Sequence, residues 1–133
     1  MTRLSLELFA VLLGVLLGLI HIVLASHSAS WQRGYRWTAG ARDEPGVPLT
    51  GVAGRLARAS ANYLETFPFF ASLALAVHVL DRHSDLSSWG VALYLAGRVA
   101  YLPLYALGVY LIRSIAWNVA TAGIIVLGAA LIV

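Results

Sequence analysis

Of 133 residues, 60% belong to the apolar set and 11% are charged, with a mean hydropathy of +0.82. A soluble domain carries about 25% charged residues, so this composition points to an integral membrane protein and leaves no length for a soluble catalytic domain, a nucleotide-binding fold or a nucleic-acid module. The net charge of +3 comes from nine Arg and no Lys against six acids, and the absence of Cys excludes disulfides, thiolate metal sites and a cysteine nucleophile.

A helix needs about 20 apolar residues to cross a hydrocarbon core of roughly 30 Å. The first such run extends from Leu4 to Ala25 and predicts a span over about 4–27. A signal peptide is the competing reading, because Arg3 precedes the run and small residues follow at Ser26–Ser30, but the run exceeds a signal's apolar core of roughly 7–15 residues. The only long polar stretch follows, a structured connection over about 31–55 with turn formers between Ala39 and Pro48. A second span is predicted over about 56–80, a polar turn over Asp81–Asp85, a third span over about 89–110, and a fourth over about 114–133 after the short connection marked by Arg113 and Ser114. The fold class expected is therefore all-α, a single domain forming a four-transmembrane-helix bundle. Arg33, Arg36, Arg42, Arg55 and Arg58 crowd the first connection, whereas Arg3 and Arg82 lie on the opposite side, so the positive-inside rule puts that connection in the cytoplasm and both termini outside.

Polar residues inside the spans carry the chemical information. Arg55, Arg58, Asn62 and Glu65 recur at intervals of three, four and three, and fall on one helical face. Tyr94, Arg98, Tyr101 and Tyr105, at intervals of four, three and four, form a second stripe. A charge at mid-membrane costs about 2.5–3.5 kcal/mol on insertion scales, so Glu65 and Arg98 are expected to turn inward and form a structural ion pair. Pro68 and Pro103 lie inside spans, where each removes one backbone hydrogen bond and allows a kink. Gly14-x-x-x-Gly18 with His21 on the same face marks close helix packing, with a subunit seam as one option. The four histidines do not assemble with carboxylates at ligand spacing, so no metal site is expected. Ser114 is placed as an N-cap of the last span, where backbone N–H groups, the helix dipole and the adjacent Arg113 together favour an anion, a thiolate included.

Taken together, Arg58-Ala-Ser-Ala-Asn62-Tyr-Leu-Glu65-Thr-Phe-Pro68, Gly97-Arg98-Val-Ala-Tyr101-x-x-x-Tyr105 and Ile112-Arg113-Ser114 resemble the MAPEG superfamily, the membrane-associated proteins of eicosanoid and glutathione metabolism. Ala41-Arg42-Asp43-Glu44-Pro45 resembles its bacterial branch, which implies a bacterial inner membrane. The resemblance further implies a homotrimer among membrane lipids, with glutathione as cosubstrate bound between subunits and a lipophilic small molecule as its reaction partner. Arg58, Asn62, Glu65, Tyr101, Tyr105 and Trp117 would then contact the tripeptide, and Arg113 and Ser114 would act catalytically on its sulfur. Ser60, Ala61 and Tyr101 depart from the prostaglandin E synthase branch, which has His, Arg and His at these positions, and point away from a specialised prostaglandin role. The function expected is a membrane-bound glutathione-dependent transferase or peroxidase; the alternatives are a non-catalytic lipid- or glutathione-binding member and a small proton-coupled exporter titrating Glu65.

Overall fold

A computed structural model describes residues 4–133; Arg3, used above for orientation, lies outside them. Five helices follow in order: α1 (Leu6–Arg33), α2 (Tyr35–Ala39), α3 (Gly51–Val79), α4 (Asp85–Ala106) and α5 (Ile112–Ala129), with no strand among the described residues. By length and apolarity α1 and α5 qualify as membrane-crossing helices. The other two long helices, α3 and α4, carry the two polar stripes, which lower their hydropathy.

Local chemistry sets the ends. Ser5 caps α1 by accepting a hydrogen bond from the Leu8 amide at 3.3 Å, with Glu7 in the first turn where the helix dipole favours an acid. The helix runs past the expected span to Arg33 and stops at Gly34, whose φ of 87° suits glycine. In the connection that follows, α2 supplies Trp37, whose indole N–H donates to Glu44 O at 2.9 Å, with the Arg33 and Arg42 guanidinium groups 5.0 and 5.8 Å from its ring. Gln32 then seals the loop by pairing both side-chain ends with the Thr50 backbone at 3.0 Å. Arg33 and Arg42 also donate to the Val47 and Thr38 carbonyls. These two loop arginines are therefore engaged in holding the connection.

A reciprocal capping box between Ser84 and Ser87 starts α4 at Asp85, earlier than the apolar run suggests. It ends at Ala106, earlier than expected, where Gly108 and Leu111 take φ values of 72° and 64° and reverse the chain into α5. Pro68 and Pro103 are both accommodated inside continuous helices.

The bundle closes through small residues. A Cβ on Gly97 would lie 2.7 Å from Ala116 O and Ala120 N, and one on Gly123 2.5 Å from Tyr94 N, so α4 and α5 touch backbone to backbone. Against α3, Gly14 and Gly18 admit the ring of Tyr63, whose hydroxyl donates to Gly14 O at 2.5 Å while His21 stacks on the ring at 4.5 Å. That glycine motif thus serves the α1–α3 contact within one chain rather than a seam between subunits. Phe70 and Tyr94 stack at 3.9 Å between α3 and α4 in the core, beside Ala10, Ala74, Val77, Val91, Ala120 and Leu127. Outward, α1 leaves Phe9, Leu12, Leu16, Leu19 and Val23 about half exposed, an apolar surface suited to lipid.

Candidate functional site

At the end of the bundle where α3 begins, α4 ends and α5 begins, a cleft of about 240 Å³ is lined by Asn62, Tyr101, Tyr105, Arg113, Ser114 and Trp117. These are six of the eight residues expected to bind or activate glutathione, drawn from three helices. Periodicity and antiparallel order explain the convergence: Asn62 sits on the inward face of α3, Tyr101 and Tyr105 one turn apart on α4, and the tight reversal returns α5 beside them. Tyr101 is buried against Ala59 and Ala116, and its ring lies 5.3 Å from that of Tyr105. The Arg113 guanidinium stands 4.7 Å from the centre of the Tyr105 ring, a cation–π distance that holds the charge at the cleft. The Trp117 indole N–H is buried with no hydrogen-bond partner among the described residues.

Arg58 lies at the margin. It is exposed and donates through Nε to the Tyr105 hydroxyl at 3.3 Å, so it touches a cleft residue without lining the cleft. Arg55 donates through Nε to Ala106 O at 2.8 Å and so satisfies one of the C-terminal carbonyls of α4.

Two expectations are corrected. Glu65 does not pair with Arg98 within the chain: Glu65 is exposed and absent from the cleft lining, while Arg98, 0% exposed, donates to Asn62 Oδ1 at 2.8 Å and to Thr66 Oγ1. On the helix, Glu65 and Thr66 fall on opposite sides of Asn62, and the guanidinium reaches the Thr66 side. Ser114 is not the N-cap. Leu111 holds that position, with φ 64° and ψ −54°, and Ser114 lies in the first turn with its amide bonded to Leu111 O at 2.9 Å. Ser114 still lines the cleft, but one of the amides counted as free is used.

The opposite end of the bundle holds a second polar cluster that spacing did not reveal. Glu7, 2% exposed, accepts hydrogen bonds from Ser87 Oγ at 2.7 Å and from His83 Nδ1 at 2.8 Å. His83 also approaches Asp81 at 3.8 Å, and its ring lies 5.6 Å from that of His78. Among the described residues no group of three metal-capable side chains gathers. The available signal was a lone Glu in an apolar run, which demands a partner.

Every residue lining the first cleft has a group able to donate a hydrogen bond, one of them charged, and among the described residues no carboxylate lines it. It is suited to an anion. Neither a curated protein nor a solved structure gives a significant match to the chain. A family model described as MAPEG family does, over residues 10–133. With that match covering nearly the whole chain, the protein belongs to the MAPEG family of membrane proteins associated with glutathione and eicosanoid metabolism.

Proposed function

We propose that the protein is a four-span, trimeric glutathione-dependent transferase or peroxidase acting on lipophilic electrophiles, with its site at the Asn62–Arg113 cleft. The observation that carries this reading is the convergence of Asn62, Tyr101, Tyr105, Arg113, Ser114 and Trp117 on one donor-rich cleft in a MAPEG chain. The residues suit an anionic thiol: Arg113 offers a full charge, Ser114 a hydroxyl, and Trp117 an unengaged N–H. Bound there, glutathione supplies the nucleophilic or reducing sulfur; the protein's part is to hold that sulfur ionised and to exclude water. Depressing a thiol pKa by two units takes about 2.7 kcal/mol, within reach of one partly desolvated Arg with two further donors.

A second copy of the chain is part of the reading. Ligand cavities usually measure about 300–1,000 Å³, more than this cleft encloses, so a neighbouring surface is needed to cover a tripeptide. Glu65, exposed one turn from Asn62 on a helix that would cross lipid, calls for such a neighbour as well. The exporter reading loses support from the same residue, because a titrating carboxylate on the outer face of the bundle borders no internal path.

Calorimetry of glutathione binding to the detergent-solubilised protein tests the reading. Saturable binding that Arg113→Leu alters is expected; no binding at millimolar glutathione would remove it. Turnover of an aryl halide or a lipid hydroperoxide then separates an enzyme from a non-catalytic binder.

A further inference from the structure

We propose that Arg98 is a positioning residue for the cleft: it turns the Asn62 oxygen inward, so that the Asn62 amide hydrogens face the ligand and donate to one of its carboxylate or carbonyl oxygens. The proposal deepens the glutathione reading above and rests on it.

The chemistry of the guanidinium fixes the orientation. Arginine has donors only, so the 2.8 Å contact from Nη1 to the Asn62 side chain is a hydrogen bond only when Oδ1 faces it. The flipped amide would set two donors against each other at a fully buried group. Arg98 is itself held. Its other terminal nitrogen donates to Thr66 Oγ1, one turn from Asn62 on the same helix, and the Tyr101, Tyr63 and Tyr94 rings surround the guanidinium at 5.3, 5.8 and 5.9 Å. With Oδ1 engaged, Asn62 Nδ2 has no protein partner among the described residues, and Asn62 lines the cleft.

Charge strengthens the donor. Among the described residues Arg98 forms no ion pair, and the groups it bonds are neutral. A buried cation bonded to a neutral amide polarises it, so the outward N–H groups donate more strongly than an ordinary asparagine would. Arg98 therefore reaches a bound anion through Asn62 without touching it.

Asn62→Asp separates this role from a structural one, because an aspartate would pair with Arg98, relieve its unpaired charge and leave the cleft facing a carboxylate with no N–H. Thermal unfolding of the ligand-free protein is expected to occur at or above the parental temperature, while glutathione affinity by calorimetry falls by about tenfold or more. Asn62→Leu, which cannot accept from Arg98, is expected to lose both stability and affinity. Arg98→Lys keeps the charge but not the fork, and is expected to weaken binding by severalfold. Asn62→Asp binding within twofold of the parent would overturn the donor role. Asn62→Asp as unstable as Asn62→Leu would overturn the orientation, and this comparison needs no ligand. Failure of the parent itself to bind glutathione would instead remove the function proposed above, and with it the donor role.

Discussion

The bundle has a polar cluster at each end, and the two are satisfied to different degrees. Around Glu7 both carboxylate oxygens are bonded, one to Ser87 and one to His83, and Ser87 is bonded again into the capping box of α4. Around Asn62 and Arg113 donors are in excess: among the described residues Trp117 Nε1 has no partner, Arg113 leans on a ring, and no acid lines the cleft to close the charge. A closed network ties helices together, whereas an unbalanced one costs stability and is retained where a ligand completes it. The first cluster is a clasp between α1 and the α3–α4 turn, and the second is left with donors that a ligand of the proposed kind would complete.

The largest effect is expected on breaking the clasp. Glu7→Ala removes two charge-assisted hydrogen bonds from a buried position and leaves α1 with one fewer tie to the rest of the bundle. Stability should fall by about 3 kcal/mol, read as earlier unfolding in detergent, with glutathione affinity unchanged in the protein that remains folded. A loss of affinity in folded Glu7→Ala would mean that the two ends are coupled, and would break the comparison.

At the site the pattern should invert. Arg113→Leu removes a side chain with no hydrogen bond to protein among the described residues, so ligand-free stability should change by no more than about 0.5 kcal/mol. The pKa of the bound thiol should rise by about one to two units, equivalent to about 1.4–2.7 kcal/mol, followed by the ultraviolet absorbance of the thiolate as pH is raised. Glutathione bound with an unchanged titration would reduce Arg113 to an anchor at the membrane surface.

Trp117 is a subtler probe of the same imbalance. Trp117→Phe deletes the unpartnered N–H and keeps an aromatic ring, so the empty protein should be as stable as the parent or more stable by about 1 kcal/mol. Glutathione binding should weaken severalfold, measured by calorimetry. A variant that loses stability and keeps affinity would show that the indole fills space and nothing more.

The part of the site legible in the sequence is the part that local rules set. Helical period placed Asn62, Tyr101 and Tyr105 on inward faces, and short reversals between helices brought Arg113, Ser114 and Trp117 to them; both signals are local. Phasing could not decide between Glu65 and Thr66 as the partner of Arg98, since they lie about 60° and 40° to either side of Asn62, inside the tolerance of any stripe. Ser114 has the chemistry of an N-cap, but the positive φ of Leu111 starts the helix earlier, and only the packed reversal of the chain sets that angle. Glu7 and His83 meet across 76 positions, a distance over which no spacing rule operates.

The smallest effect on the single chain is expected at Glu65. It is exposed, makes no hydrogen bond to a side chain among the described residues, and sits one turn from the cleft on a helix that also presents Phe69 to the outside. Glu65→Gln should therefore leave the fold of one subunit within about 0.5 kcal/mol of the parent, because no described side chain bonds to the carboxylate. In a bilayer the same carboxylate is costly unless a polar group meets it, and a second copy of the chain is the surface at hand to supply one. The effect should appear in assembly: native mass spectrometry of the detergent-solubilised protein is expected to show more dissociated subunit for Glu65→Gln than for the parent at equal concentration. Equal oligomer populations would detach Glu65 from any seam, and the margin of the cleft would then be open to lipid rather than closed by a neighbour.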